Sequence, residues 1–171
     1  VRQTLDKAAE LADVILTSGG ASGGDEDHMS AVLSESGNMA LWRIAVKPGR
    51  PLALGVWDGV PVFGLPGNPV AAFVCTLIFA RPALLRLSGA GFLAPLALIL
   101  PAAFAKTKKA GRREYLRARL RDGAVEVFGS EGSGRVSGLS WADGLVELPD
   151  QAAEISTGQP VIFYPYSGFG L

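Results

Sequence analysis

The feature that constrains the fold most is a short apolar run that ends in glycines and leads into a helix pattern. The run VILT occupies residues 14–17, and the glycine-rich stretch SGGASGGDED follows it at 18–27. Apolar residues then recur at helical spacing from 28 to 36. A strand, a glycine-rich loop and a helix in this order indicate an α/β sheet, and we expect the strand to be buried on both faces of a parallel sheet.

The next stretch continues this α/β pattern. Asp58-Gly59 favours a tight hairpin turn. Asn68 suits an N-cap and Pro69 a first helical position, whereas Pro82 is expected to kink or break the helix that they begin. The patterns predict a first helix over 4–12, strands over 41–46, 52–56 and 60–64, and a long helix over 69–87.

From about Ala90 the pattern changes to short apolar strands between clusters of Gly, Pro and Ser. No helix is predicted here, so this part is expected to be a small all-β barrel or sandwich. We therefore predict an α/β domain over 1–89 and a β domain over 90–171. The strands are predicted at 96–100, 114–121, 124–128, 145–148 and 160–164.

The charge balance carries little information about partners, because 16 basic residues match 16 acidic ones. One local basic patch, residues 106–121, holds eight Lys or Arg and a single acid. We interpret this patch as solvated surface. Tyr115 is its only aromatic residue, which argues against nucleic-acid binding.

Cysteine and apolar content bear on the compartment. Cys75 is the only cysteine, so no intrachain disulfide forms, which is typical of the cytoplasm; it lies in an apolar helical run and is expected in a core. The longest apolar run, 69–80, ends at Arg81 and is shorter than the roughly 20 residues that span a bilayer, so no membrane role is expected. A start at Val1 rather than Met suggests a fragment.

The glycine-rich loop is a candidate anion site. Its glycines let the backbone approach a ligand, and its hydroxyls and N–H groups bind oxygens. The alternative is a tight turn between strand and helix. The candidate ligand-binding residues are Ser18, Gly19, Gly20, Ser22 and Gly24.

The acids that end this loop are a candidate metal site. Asp25 and Asp27 repel one another unless a cation lies between them, and Mg²⁺ is commonly held by such carboxylates. The alternative for Asp27 is an N-cap of the following helix, and Glu26 is expected to be exposed. His28, the only histidine, is expected on the helix surface.

A second loop, GLPGNP at 64–69, is another candidate anion site at a helix start. Its candidate residues are Pro66, Gly67, Asn68 and Pro69. Arg43 and Lys47 are predicted on one strand face, where they would add positive charge, although either is alternatively an ordinary surface cation. These features together indicate a phosphorylated or oxyanion ligand held through a metal: a nucleotide, a sugar phosphate or a pterin phosphate.

Five segments in order resemble the molybdopterin molybdenumtransferase family, which includes bacterial MoeA and the gephyrin-type E domains. They are DVILTSGGASGGDED, WRIAVKPGRP, GLPGNPV, KKAGRREYLRARL and GSGRVSGLSWADGLVELP. The resemblance covers nearly the whole chain. It implies the C-terminal portion of a MogA-like molybdopterin-binding domain over 1–89, followed by the family's C-terminal β-barrel domain over 90–171.

The resemblance also implies a reaction, namely Mg²⁺-dependent insertion of molybdate into adenylylated molybdopterin with release of AMP. It implies a cytoplasmic homodimer, and a C-terminal fragment that need not be active alone. Asp27, Lys47 and Arg43 match the family's catalytic positions, with Asp25 assisting Asp27 at the metal, and Ser133 lies near a family serine. Arg43 and Arg50 stand where the family usually has lysine.

Two alternative functions are also compatible with the sequence. One is a module that binds molybdopterin or a nucleotide without chemistry. The other is a fragment of a gephyrin-like scaffold.

Overall fold

The computed structural model describes residues 1–19, 28–36, 39–42, 44–129 and 135–170. The chain divides into two compact units. The first comprises Val1–Ile44 and Gly49–Phe92, and the second comprises Leu93–Leu171 together with the short segment Ala45–Pro48.

The elements up to residue 92 are short helices and strands. They are α1 (Arg2–Ala9), β1 (Ile15–Ser18), α2 (His28–Glu35), β2 (Met39–Trp42), β3 (Val46–Lys47), β4 (Ala53–Trp57), β5 (Val60–Leu65), α3 (Pro69–Cys75), a π-helical turn (Thr76–Ala80) and α4 (Arg81–Leu87).

The sheet of the first unit has the strand order β1-β5-β4-β2. Only β1 and β5 are parallel, and β4 pairs antiparallel with both β5 and β2. The expectation that β1 is buried on both faces of a parallel sheet is therefore wrong. The sheet is mixed, and Leu16 of β1 is 45% exposed. The α/β character of this part is confirmed.

The hairpin between β4 and β5 forms at the predicted turn. Asp58 and Gly59 adopt φ angles of 46° and 81°, the left-handed conformation of a two-residue hairpin turn. The core beneath the sheet includes Leu5, Leu33 and Val62. Trp57 joins this core and donates a hydrogen bond from Nε1 to Asp6 Oδ1 at 2.9 Å, which fastens α1 to the hairpin.

The long helix predicted over 69–87 is helical throughout but irregular. The π-helical turn Thr76–Ala80 lies just ahead of Pro82, whose missing N–H removes one hydrogen bond from the ladder. Pro69–Leu87 has 19 residues and a mean hydropathy of 1.8, so by length and composition alone it passes the test for a membrane span. Core helices of soluble proteins pass the same test, and the absence of a membrane role stays a prediction.

Cys75 is a core residue, as predicted. It is fully buried, and burial raises the pKa of its thiol to about 12. At pH 8 only about one thiol in ten thousand is then the reactive thiolate. We expect Ellman's reagent to label Cys75 at pH 8 only after denaturant is added. Rapid stoichiometric labelling of the folded protein would contradict this placement.

The second unit is mainly β-structure. Its elements after residue 92 are β6 (Leu98–Pro101), β7 (Lys106–Lys108), β8 (Arg113–Arg121), β9 (Ala124–Val127), α5 (Ser137–Trp141), β10 (Gly144–Leu148), β11 (Ala153–Ile155), β12 (Pro160–Pro165) and a final 3₁₀ turn (Tyr166–Phe169). All five predicted strands are present. The three-residue strands β7 and β11 and the short helix α5 were not predicted.

The main sheet of this unit has the order β3-β8-β10-β12-β6, and β9 also pairs with β8. Ala102, just after β6, forms a single β-bridge with Val125 of β9. The described residues contain no continuously closed barrel. Side chains such as Ala118, Val146 and Phe163 form the core. The prediction of a small β domain is confirmed.

The single strand predicted over 41–46 is wrong. β2 ends at Trp42 and pairs with β4, whereas β3 pairs in parallel with β8 of the second unit. The chain therefore leaves one sheet and enters another within this stretch. Arg43 lies outside the described residues, and the premise that placed Arg43 and Lys47 on one face of one strand does not hold.

The solvated-surface interpretation of the basic patch is wrong for two of its cations. Lys108 and Arg117 are only 3% and 6% exposed. Lys108 donates to the carbonyls of Lys109 and Gln151, and Arg117 donates to the carbonyl of Arg135 at 2.6 Å. Burial lowers the pKa of the Arg117 guanidinium, which also lies over the Phe128 ring at 4.9 Å. Lys108 therefore holds the segment before β11 onto β7, and Arg117 holds the segment before α5 onto β8.

Candidate functional site

Two loops of the first unit meet at the carboxyl ends of its parallel strands. Ser18 and Leu65 are register partners, so β1 and β5 end side by side. The glycine-rich loop begins at the end of β1, and the GLPGNP loop begins at the end of β5. This is the edge at which open α/β sheets bind ligands.

Three contacts join the two loops. Gly19 donates its N–H to Leu65 O at 3.0 Å, and Ser18 Oγ donates to Pro66 O at 3.4 Å. A Cβ added to Gly67 would lie 3.4 Å from Gly19 Cα, so the two backbones are in close contact. Gly19 has a φ of +87°, which glycine adopts without strain. The structure therefore brings together Ser18, Gly19, Pro66 and Gly67.

The exposed side of this junction is formed by Ser18, Gly67 and Pro69, whereas Pro66 is buried. Pro66 is thus packed inside, and no long side chain of the described residues lies on the exposed side. Such an arrangement offers a ligand close approach to the backbone without first moving a bulky side chain.

Asn68 caps the helix, as predicted. Its Oδ1 accepts hydrogen bonds from Val70 N at 3.1 Å and Ala71 N at 3.2 Å, and Pro69 takes the first helical position. The N–H groups of the first helical turn are thus satisfied by the cap. A ligand at this loop would be held by the residues ahead of the helix, and the helix start contributes chiefly rigidity.

We expect Asn68→Ala to lower the free energy of unfolding by about 1 kcal/mol, because it removes both cap hydrogen bonds. Asn68→Asp is the matched control, since its carboxylate retains the acceptor. Urea unfolding of the three proteins measures the difference. Equal stability of Asn68→Ala and wild type would show that the cap contributes nothing.

Several predicted site residues lie outside the described residues, and their roles stay predictions. They are Gly20, Ser22, Gly24, Asp25, Glu26, Asp27, Arg43 and Ser133. Within the described ranges no group of three or more His, Cys, Asp or Glu side chains is placed to hold a metal. The magnesium prediction therefore rests on the acids that end the glycine-rich loop. His28 is exposed at the first residue of α2, as predicted.

Lys47 belongs to the second unit, not to the strand predicted for it. Its Nζ lies 3.5 Å from Glu114 Oε1 on the neighbouring strand β8. The other carboxylate oxygen, Oε2, lies 3.6 Å from Lys106 Nζ. Reasoning from the sequence found Lys47 but missed Glu114 and Lys106, because the pairing joins residues far apart in the chain. The signal that could have identified Glu114 is that it is the lone acid among the cations of 106–121.

Two family profiles match the chain, one in each half. Residues 1–86 match the probable molybdopterin binding domain, and residues 100–166 match the MoeA C-terminal region, domain IV.

The chain is also similar to curated and solved proteins. It is 32% identical to a molybdopterin molybdenumtransferase of Haemophilus influenzae, over 94% of this chain and 41% of that protein. It is 37% identical to molybdopterin molybdenumtransferase 1 of Mycobacterium tuberculosis, over 88% of this chain and 38% of that protein. A molybdopterin biosynthesis MoeA protein from Pyrococcus horikoshii superposes with a TM-score of 0.81 at 30% identity, over 96% of this chain and 40% of that structure. The chain spans about two fifths of the length of the curated relatives it matches.

Proposed function

We propose that this chain, which belongs to the MoeA family of molybdopterin-binding proteins, is part of an enzyme that inserts molybdate into molybdopterin. The observation that carries the proposal is the junction of Ser18 and Gly19 with Pro66 and Gly67 at the strand ends. A junction at this edge suits a phosphorylated ligand. Relatives that bear the same two regions are named molybdopterin molybdenumtransferases.

The proposed substrates are adenylylated molybdopterin and molybdate, and the proposed products are molybdenum cofactor and AMP. The two dithiolene thiols of the pterin replace two oxygens of molybdate, which take up protons and leave as water. A water molecule cleaves the phosphoanhydride bond and releases AMP, so no protein nucleophile is needed. The protein's task is to bind the two anions and to offset their charge. Mg²⁺, if bound, would supply positive charge to the phosphate oxygens.

We assign the roles residue by residue. The pterin phosphate would be held by the glycine-rich loop through Ser18, Gly19, Gly20, Ser22 and Gly24, against a wall formed by Pro66, Gly67, Asn68 and Pro69. Asp27, assisted by Asp25, would hold Mg²⁺. Lys47 and Arg43 would attract molybdate.

Two observations support these assignments. Thr17 Oγ1, the hydroxyl before Ser18, is buried and has no hydrogen-bond partner among the described residues, so a ligand oxygen at this strand end would satisfy it. Lys47 is a partly exposed cation on a short strand whose backbone is held by the sheet. We further propose a cytoplasmic homodimer, with activity that requires the whole protein.

The test is a turnover assay of the whole protein with adenylylated molybdopterin, Mg²⁺ and molybdate. We expect AMP and molybdenum cofactor to form in equal amounts, and neither to form beyond background without the protein. Tight pterin binding without either product would favour a binding module. AMP release without incorporation of molybdenum would contradict molybdate as the second substrate.

A further inference from the structure

Lys47 is held by the second unit through its backbone as well as its side chain. β3 contains only Val46 and Lys47, and it pairs in parallel with β8 so that Lys47 lies opposite Glu114. The N–H of Arg113 donates to Ala45 O at 2.9 Å and extends the pairing by one residue. The pairing with β8 thereby fixes the position of the Lys47 backbone, from which the side chain extends.

The Glu114 carboxylate lies between two ammonium groups. Its Oε1 is 3.5 Å from Lys47 Nζ, and its Oε2 is 3.6 Å from Lys106 Nζ. The side chains of Glu114 and Lys106 are 10% and 13% exposed, whereas that of Lys47 is 32% exposed. Lys106 is therefore the buried counterion, and Lys47 is the member of the cluster that solvent and solutes reach best.

This charge arrangement differs from an ordinary surface ion pair. A buried carboxylate is costly without a partner, and Lys106 supplies that partner whether or not Lys47 is engaged elsewhere. Lys47 is the more exposed of the two lysines, so it is the one that a dissolved anion reaches more readily.

Glu114 also restricts a flexible side chain. A lysine ammonium sits on a four-carbon stem whose rotamer freedom must be given up when it binds a ligand. A charged acceptor directly across the strand pair holds the Lys47 ammonium before any ligand arrives. The loss of side-chain entropy then occurs when the protein folds, and it does not lower the affinity for a ligand.

We propose that Glu114 is a positioning residue that holds the Lys47 ammonium ready for the molybdate-class oxyanion. This inference rests on the oxyanion role given to Lys47 in the proposed function. Glu114 does not touch the substrate and acts only through Lys47. Lys106 pairs with the other oxygen of the carboxylate at 3.6 Å and helps to keep it in place.

The test is a double-mutant cycle in the whole protein, with the half-saturating molybdate concentration as the readout. We expect Lys47→Ala to raise that concentration at least about tenfold and Glu114→Gln to raise it several-fold. The double variant should match Lys47→Ala alone, because Glu114 then has nothing to position. The kcat of Glu114→Gln at saturating molybdate should stay within about twofold of wild type.

A matched control and a conservative variant complete the design. Glu126→Gln removes the carboxylate that Arg119 binds at 2.7 Å in the same unit, and should leave the molybdate dependence unchanged. Glu114→Asp keeps the carboxylate but shortens the side chain by one methylene, which draws it back from both lysines. Its half-saturating concentration should lie between those of wild type and Glu114→Gln, and it serves if Glu114→Gln fails to fold.

Two outcomes would overturn the inference in distinguishable ways. If Lys47→Ala impairs molybdate use but Glu114→Gln adds the same factor with and without Lys47, Glu114 does not act through Lys47, and only the positioning inference fails. If Lys47→Ala leaves the molybdate dependence unchanged, the oxyanion role of Lys47 and the positioning inference fail together.

Discussion

Asp27→Ala should reduce molybdate insertion at least about 100-fold in the whole protein, because it removes the carboxylate proposed to hold Mg²⁺. The fold should remain intact, since a carboxylate that the sequence predicts in a loop contributes little to a hydrophobic core. The turnover assay for AMP and molybdenum cofactor measures the loss, and circular dichroism checks the fold.

The neighbouring acid provides the control for Asp27. Glu26→Ala removes the same charge one position away in the same loop and should leave activity within about twofold of wild type. A similar loss in both variants would mean that the loop needs negative charge in general rather than a ligand at Asp27. Full activity of Asp27→Ala would remove this residue from the mechanism.

Gly144→Ala should produce the largest loss of stability among the substitutions considered. A Cβ at this position would lie 2.5 Å from two ring carbons of Phe163 and 2.5 Å from Tyr164 O. Phe163 is 1% exposed and Tyr164 O is backbone, so neither can move aside cheaply. We expect the free energy of unfolding of the second unit to fall by about 3 kcal/mol, the upper range for overpacking a core.

Thermal unfolding followed by circular dichroism measures this effect, and a loss of about 3 kcal/mol lowers the Tm of a unit this size by more than about 10 °C. Gly129→Ala is the matched control, because no atom of the described residues lies within 4 Å of a Cβ added there. Its Tm should change by only a few degrees. A Gly144→Ala protein as stable as wild type would show that β10 does not pack against Phe163 as described.

Local chemistry explains which parts of the fold were predictable. The Asp58-Gly59 turn and the Asn68 cap depend on residues next to each other in the chain, and the structure contains both. The ends of β1 and β5 were predicted to within one residue, because each strand is followed at once by glycine or proline. Because these two strands end side by side, the glycine-rich loop and the GLPGNP loop meet.

Non-local pairing explains what was missed. The break after Trp42 arises because Val46 and Lys47 pair with Arg113 and Glu114, and no local pattern marks such a distant partner. The strands β7 and β11 are too short for their period to be read.

Burial of charge was missed for the same reason. Lys108 is buried because the carbonyl of Gln151 accepts its hydrogen bond, and Arg117 is buried because the carbonyl of Arg135 does so. These partners lie 43 and 18 residues away in the sequence. The local sequence of the basic patch does not reveal these partners, and the patch was therefore interpreted as solvated surface.

The most direct test of the account is a calorimetric titration of the whole protein with adenylylated molybdopterin. Wild type and Asp27→Ala are compared, each with Mg²⁺ and after treatment with a chelator. We predict tight binding only by wild type with Mg²⁺. The glycine-rich loop would bind the phosphate groups of the pterin, and Asp27, assisted by Asp25, would bind the Mg²⁺ ion that joins those groups to the protein. Equal affinity under all four conditions would contradict this prediction, and would leave Asp27 as a helix cap in a module that binds pterin without a metal.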